Sequence, residues 1–250
     1  MRPLVVGNWK MHGTTAFAAE LARGVVAVAR NHPDVDVGVA PPFTSLAAVR
    51  EVLRGSPVAL CAQHVHDQPQ GAFTGAVSAP MLADLGCSMV LVGHSERRHV
   101  FGETDQQVAR QLRALLDNDL TPLLCLGELL AEREAGRTLD VARAQLDAAL
   151  DGLDETAVRR VVVAYEPVWA IGTGKVASPG DAQAVHAFLR SLLAERHAES
   201  VRLLYGGSVK ADNAAGLFAQ HDIDGFLVGG ASLKAAEFGG IIAAAGGSHA

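Results

Sequence analysis

The stretch "RVVVAYEPVWAIGTGKVASPGDAQAVHAFLRSLLAERHAESVRLLYGG" (160–207) decides how the rest of the chain is read. Val161, Val162, Val163 and Ala164 form an apolar run without alternation, the pattern of a parallel strand covered on both faces. The run stops at a carboxylate, Glu166, and Pro167 ends regular pairing. Val168-Trp169-Ala170-Ile171 follows, too apolar for an ordinary loop, and then Gly172-Thr173-Gly174. Ser178 is placed to cap a helix, with Pro179 at its first position and Asp181 at its third, where the charge suits the helix dipole. Helical spacing continues through "SPGDAQAVHAFLRSLLAERH", and a second apolar run, "VRLLYGG" (201–207), closes the unit. Strand, flap, helix and parallel strand make one crossover.

The unit recurs along the chain. Short apolar runs stand at 3–9, 35–40, 57–62, 89–94, 121–128, 160–166, 201–207 and 224–230, a step of roughly 31 residues. Segments rich in Ala, Leu, Arg and Glu lie between them. In "TDQQVARQLRALLDN", Thr104 or Asp105 is placed to cap, and Val108, Leu112 and Leu115 fall on one stripe. Eight strand–helix units with parallel crossovers predict an α/β fold, a (β/α)8 barrel forming a single domain over residues 1–250, with an open doubly wound sheet as the alternative. No linker or low-complexity segment interrupts the pattern. The tail "AAAGGSHA" (243–250) is expected to fray.

Composition narrows the function classes. Of 250 residues, 49% are apolar and 19% charged, enough apolar matter for a core. The formal net charge of −6 excludes a domain-wide basic field for nucleic acid. An anionic small molecule remains compatible, because backbone dipoles bind anions without net positive charge. Cys61, Cys87 and Cys125 are odd in number and lack metal-ligand spacing, so each is expected to be a small buried thiol rather than part of a disulfide framework. The N-terminus lacks a signal-type apolar segment, and no run reaches the length of a membrane span. A cytoplasmic protein without membrane or nucleic-acid partners is expected.

In a (β/α)8 barrel the site lies at the carboxyl ends of the strands. Those ends carry Asn8 and Lys10 on the first strand, His94, Ser95 and Glu96 on the fourth, and Glu166 on the sixth. The seventh ends in Gly206-Gly207-Ser208 and the eighth in Gly229-Gly230. Each has an ordinary reading: a solvated lysine, a core histidine, a surface ion pair, plain turns. Together on one rim they point to chemistry. The glycine turns let the backbone approach a ligand and aim N–H groups at a phosphate. Since GxxxxGK[ST] is absent, a small phosphate ester fits better than a nucleotide. A desolvated carboxylate can take a proton from carbon beside a carbonyl, while an imidazole and a lysine stabilise the enediolate oxygens. The flap after Glu166 then has a purpose, which is to exclude water from a phosphorylated enediol that would otherwise eliminate its phosphate.

The stretches "GNWKM" (7–11), "GAFTG" (71–75), "VGHSERR" (92–98), "GELLAERE" (127–134), "AYEPVWAIGTGK" (164–175), "LLYGGSV" (203–209) and "LVGGASLK" (227–234) resemble the triosephosphate isomerase family over nearly the whole chain. The resemblance implies cofactor-free, metal-free interconversion of dihydroxyacetone phosphate and glyceraldehyde 3-phosphate. It implies Glu166 as base, a neutral His94 as electrophile, Lys10 as cation, and Asn8 as a substrate-orienting group. Phosphate would be held by Gly172, Ser208, Gly229 and Gly230. Ser95, Glu96 and Cys125 would support the site, Ile171 and Leu227 would clamp Glu166, and Tyr205 with Ser208 would hold a closed lid. The resemblance also implies a homodimer in which Phe73 and Thr74 of one subunit enter the other. Two residues depart from the family pattern: Ala76 stands where a glutamate usually faces Arg97, and His64 stands where an asparagine usually follows Gln63. A four-carbon ketose phosphate isomerase and a catalytically inactive binding barrel are the alternatives.

Overall fold

Each of the eight apolar runs contains a strand: β1 (Leu4–Asn8), β2 (Asp36–Ala40), β3 (Val58–Ala62), β4 (Met89–Val92), β5 (Thr121–Leu126), β6 (Val162–Tyr165), β7 (Leu203–Tyr205) and β8 (Gly225–Val228). The structure is a computed structural model that describes residues 1–171 and 177–247. Gly172, expected to bind phosphate, and Gly174 lie outside the described residues, as do 248–250. The strands pair in parallel in chain order, and β8 closes on β1 with Val5 opposite Phe226 and Gly7 opposite Val228. Closure removes both sheet edges and excludes the open doubly wound sheet.

The barrel explains why the runs do not alternate. Leu4, Val6, Leu91, Leu123, Cys125, Val162, Ala164 and Leu204 pack together inside it. Their neighbours Val5, Val90, Val92, Leu124, Val163 and Leu203 face outward and join the helices in a second core. Side chains alternate with period two, but both faces are dry, so apolar residues fill both. The helices bury the stripes that their spacing predicts. Val108, Leu112 and Leu115 of Asp105–Leu116 are buried, as are Ala182, Val185, Leu189 and Leu192 of Pro179–Ala194. Thr104, rather than Asp105, is the cap of the first, in a reciprocal box with Gln107. Ser178 and Asp181 form the same box at the start of the second. Each box satisfies two N–H groups the helix would otherwise leave unpaired.

The tail needs correction. Residues 243–246 do not fray but complete the helix Ala235–Gly246, because Ile241, Ile242 and Ala245 are buried against the barrel side of the fold. All three cysteines are buried free thiols. Among the described residues, no helix is long and apolar enough to cross a membrane.

Candidate active site

A cavity of about 700 Å³ opens at the carboxyl ends of the strands. It is lined by Asn8, Lys10, His94, Glu166, Ile171, Ser208, Leu227, Gly229 and Gly230, so the fold brings these residues of β1, β4, β6, β7 and β8 to one place. Ser95, Glu96, Cys125 and Tyr205 stand behind that lining rather than in it.

Lys10 leaves β1 in a left-handed backbone conformation, φ 49°. A residue with a side chain pays about 1–3 kcal/mol there unless its surroundings hold it. Here both faces of the turn are held. The Lys10 N–H donates to Asn8 Oδ1 at 3.0 Å, and the Gln63 side-chain amide donates to the carbonyls of Lys10 and Ala40, both at 2.8 Å. The Lys10 stem passes over Gly229, where an added Cβ would lie 3.4 Å from Cε. Its ammonium then meets Glu96 Oε1 at 2.6 Å.

His94 is the cap of the helix Ser95–His99, and its Nδ1 accepts the Glu96 N–H at 3.2 Å. Arg98, one turn later, fastens this helix to the barrel by donating to the Gly93 carbonyl at 2.7 Å and the Cys125 carbonyl at 3.3 Å. Glu166 leaves β6 with its N–H on the Leu126 carbonyl at 2.7 Å and is 2% exposed. Its two carboxylate oxygens are both engaged. Oε1 lies 3.0 Å from His94 Nε2, and Oε2 accepts the Ser95 N–H at 2.9 Å.

These contacts set the electrostatics. Burial pushes the Glu166 carboxyl up, but the His94 imidazole, the Ser95 N–H and the Lys10 ammonium outweigh it and hold the group below its ordinary value. Burial pushes the His94 imidazole down, and the Glu166 carboxylate on Nε2 outweighs that and raises it while the contact lasts. Burial drives the Cys125 thiol well above its usual range, with the Glu166 charge adding to the effect, so Cys125 stays protonated behind the site.

Ile171 and Leu227 line the cavity with Glu166. The Tyr205 hydroxyl is buried under Gly207 and has no hydrogen-bond partner among the described residues. Phe73 is 44% exposed and stacks on His66 at 4.2 Å, and Thr74 beside it is exposed. Arg97, which Ala76 leaves without the family's usual glutamate, is engaged within its own chain. It donates to Glu103 Oε1 at 3.2 Å, its Nη2 lies 3.3 Å from His64 Nε2, and it sits over the Phe101 ring at 4.5 Å.

Three residues of evident importance were not anticipated by the sequence reading. Gln63 stands at the end of β3 and holds Lys10. Glu128 follows β5 fully buried, and accepts hydrogen bonds from the Tyr165 hydroxyl at 3.1 Å and the Trp169 indole N–H at 2.9 Å. Both carry the signal applied to the other strands, a polar residue where an apolar run stops. Arg98 lies inside the "HSERR" motif, and only the folded chain shows what it touches.

A closed parallel barrel whose rim joins a carboxylate, an imidazole and an ammonium beside two glycine turns is the arrangement that an aldose–ketose isomerase of a phosphorylated sugar requires. The triosephosphate isomerase family profile matches residues 3–245. Curated relatives carry the same description. The chain is 53% identical over 240 residues to a triosephosphate isomerase of Roseiflexus sp. (strain RS-1), covering 94% of each chain. It is 55% identical over 249 residues to that of Pseudomonas aeruginosa (strain LESB58), covering 98% of this chain and 99% of the relative. It is 52% identical over 247 residues to that of Moorella thermoacetica, covering 96% and 98%. The chain belongs to the triosephosphate isomerase family. Its reaction is that of the family, the interconversion of dihydroxyacetone phosphate and glyceraldehyde 3-phosphate. The four-carbon alternative is not favoured.

Proposed function

We propose that Glu166 is the base of this isomerisation and that His94 and Lys10 are its electrophiles. The observation that carries the reading is the 3.0 Å contact between Glu166 Oε1 and His94 Nε2 in the cavity that the Lys10 side chain also enters. His94 Nδ1 accepts the Glu96 N–H, which leaves Nε2 to carry the ring proton, and the ring acts as a neutral donor once substrate removes the Glu166 contact that raises its pKa. A second proton would need the Nδ1 lone pair and would sit at the start of a helix, which disfavours it.

The triose displaces Glu166 from His94. Glu166 takes a proton from C1 of dihydroxyacetone phosphate, and the electron pair moves into an enediolate. Lys10 stabilises the charge as it forms. The His94 Nε2–H supplies a proton to the C2 oxygen and recovers one from the C1 oxygen. Glu166 returns its proton to C2, which gives glyceraldehyde 3-phosphate with no net change in the enzyme. Asn8 orients the substrate. Ser208, Gly229 and Gly230 offer N–H groups to the phosphate, and Gly172 is assigned the same role from the sequence. The flap that begins with the short helix Val168–Ala170 excludes water, and Ile171 and Leu227 clamp Glu166 while Tyr205 holds the lid.

The test is Glu166→Gln, which leaves every packing contact of the base and removes its basicity. A coupled assay on glyceraldehyde 3-phosphate is expected to show at least the ~10²–10⁴-fold loss typical of a missing general base. A near wild-type rate would refute the assignment.

We further infer a homodimer held by the Phe73–Thr74 loop. Ala76 offers no charge across the interface, and Glu103 and His64 engage Arg97 from within its own chain instead. A cytoplasmic location fits three cysteines kept as free thiols.

A further inference from the structure

The segment that carries Glu166 is laid along the chain that follows β5. The Glu166 N–H donates to the Leu126 carbonyl at 2.7 Å and the Val168 N–H to the Glu128 carbonyl at 3.2 Å. Gly127 allows this approach, since a Cβ there would fall 1.8 Å from the Glu166 carbonyl oxygen. The far end of the segment, Trp169, is gripped twice. Glu128 takes its indole N–H, and Arg133 covers its face, with the guanidinium carbon 4.3 Å from the ring centroid. Arg133 belongs to the helix Leu130–Glu134, which starts directly beyond Glu128. Its Nη2 donates to Asp181 Oδ1 at 2.9 Å, and its Nη1 lies 3.8 Å from Glu128 Oε1. Asp181 in turn closes the capping box with Ser178 at the start of Pro179–Ala194.

One guanidinium therefore joins the exit of β6, the exit of β5 and the cap of the helix to which the flap returns. Arginine suits the task because it has a flat cationic face for the indole and a fork for the carboxylate at once; a lysine has only the point charge. Arg133 does not line the reaction cavity. We propose that Arg133 is a positioning residue for Glu166, acting by fixing the Trp169 end of the segment that carries it. The proposal rests on Glu166 being the base.

The experiment compares Arg133→Met, Arg133→Lys and Asp181→Asn with wild type. It measures kcat and KM separately, thermal midpoint, and the ¹⁹F spectrum of enzyme labelled with 5-fluorotryptophan, with and without glycerol 3-phosphate. The chain has two tryptophans, Trp9 and Trp169, so Trp9→Phe assigns the Trp169 resonance. A displacement of about 1 Å at a reacting group costs about a hundredfold, so Arg133→Met is expected to lose about tenfold to a hundredfold in kcat with KM little changed. Its Trp169 resonance is expected to shift in both states. Arg133→Lys keeps the charge but not the stack, and should resemble the methionine variant in the ¹⁹F spectrum with a smaller loss of kcat. Asp181→Asn retains an amide oxygen for the cap and should lose less still. A lowered thermal midpoint with wild-type kcat and an unmoved Trp169 resonance would overturn the proposal. If the methionine variant fails to fold, the other two decide, and wild-type kcat in both overturns it. A Glu166→Gln enzyme with near wild-type rate would instead remove the underlying assignment of the base, whatever the Arg133 variants do.

Discussion

Gly206 is the residue through which the geometry of Glu166 can be altered without touching its charge. It follows β7, and its N–H donates to the Tyr165 carbonyl at 2.7 Å. A Cβ added there would lie 2.9 Å from Glu166 Cγ and 3.2 Å from the Tyr165 carbonyl oxygen. Carbon atoms rest at about 3.5–4.0 Å, so Glu166 Cγ must retreat by at least about 0.6 Å. It has little freedom to do so, because both carboxylate oxygens are held, at 2.9 Å and 3.0 Å. Misplacing a reacting group by about 1 Å costs about a hundredfold, so Gly206→Ala is expected to lower kcat about tenfold and to change KM little. The fold should survive. Gly206 is not among the glycines with positive φ, and alanine reduces the freedom of the unfolded chain by about 0.4–1 kcal/mol, which offsets local repacking. The assay is steady-state turnover in both directions alongside a thermal melt. Gly216→Ala is the control. It lies exposed in Ala214–Phe218 with nothing within 4 Å of its new Cβ, and should keep full activity with about 0.5–1 kcal/mol of added stability. Wild-type kcat in Gly206→Ala would refute the claim that the missing side chain at 206 sets the position of Glu166.

Two further outcomes are expected. His186 is fully buried with Nδ1 3.0 Å from the Asp222 carbonyl, and burial holds it at about 4. The unfolded chain takes that proton near 6.5, so this contribution is complete above about pH 6.5 and is lost as pH falls towards 4, worth up to about 3 kcal/mol. His186→Phe should flatten the fall of the urea midpoint over that window. It should not abolish the fall, because burial also lowers His64 to about 4, and parallel curves would count against the reading. For the proposed dimer, sedimentation over a dilution series should show that Phe73→Ala loosens it while Ala76→Glu changes it little, since aromatic anchors outweigh exposed ion pairs of about 0–1 kcal/mol. A wild-type monomer at micromolar concentration would refute the dimer, and a large gain from Ala76→Glu would show that the missing charge matters.

The barrel was legible because burial on both faces leaves a sequence signature. Val161 to Ala164 show no alternation, and a chain with eight such runs joined by amphipathic helices has few ways to close. The rim residues were legible because a polar side chain ending an apolar run stands out, as Glu166 and His94 do. The same rule reaches Gln63 and Glu128, which end the β3 and β5 runs, but their importance depends on what they grip. Gln63 bridges the carbonyls of Lys10, just past β1, and Ala40 of β2, and Glu128 binds an indole 41 residues away. Neither pairing leaves a local pattern. Arg97 shows the same limit. Ala76 put its usual charge pair in doubt, but nothing local showed that Glu103 and His64 take the guanidinium inside the chain. Residues 243–246 were misread because Ala and Gly suggested fraying, whereas Ile241, Ile242 and Ala245 bury enough apolar surface to keep the helix in place. Weak local propensity yields to packing.

If Glu166 is the base, as proposed, its resting contact with His94 bears on how one carboxylate can be both ionised in the free enzyme and basic during turnover. A buried carboxylate with no partner would be pushed up in pKa and would take a proton in the free enzyme, leaving no base. Here the imidazole, the Ser95 N–H and the nearby ammonium counter that push and keep it ionised. On the proposed reading, a triose entering between Glu166 and His94 replaces the imidazole contact at Oε1. Burial still acts on the carboxylate, while the strongest opposing group has turned to the substrate oxygen. The proton affinity of Glu166 therefore rises at the moment a carbon acid stands next to it. Lys10 does not have to move, because Asn8 and Gln63 pin its backbone on both faces. On the same reading, the reach of Glu166 is limited by Gly206 on one side and by the segment ending at Trp169 on the other.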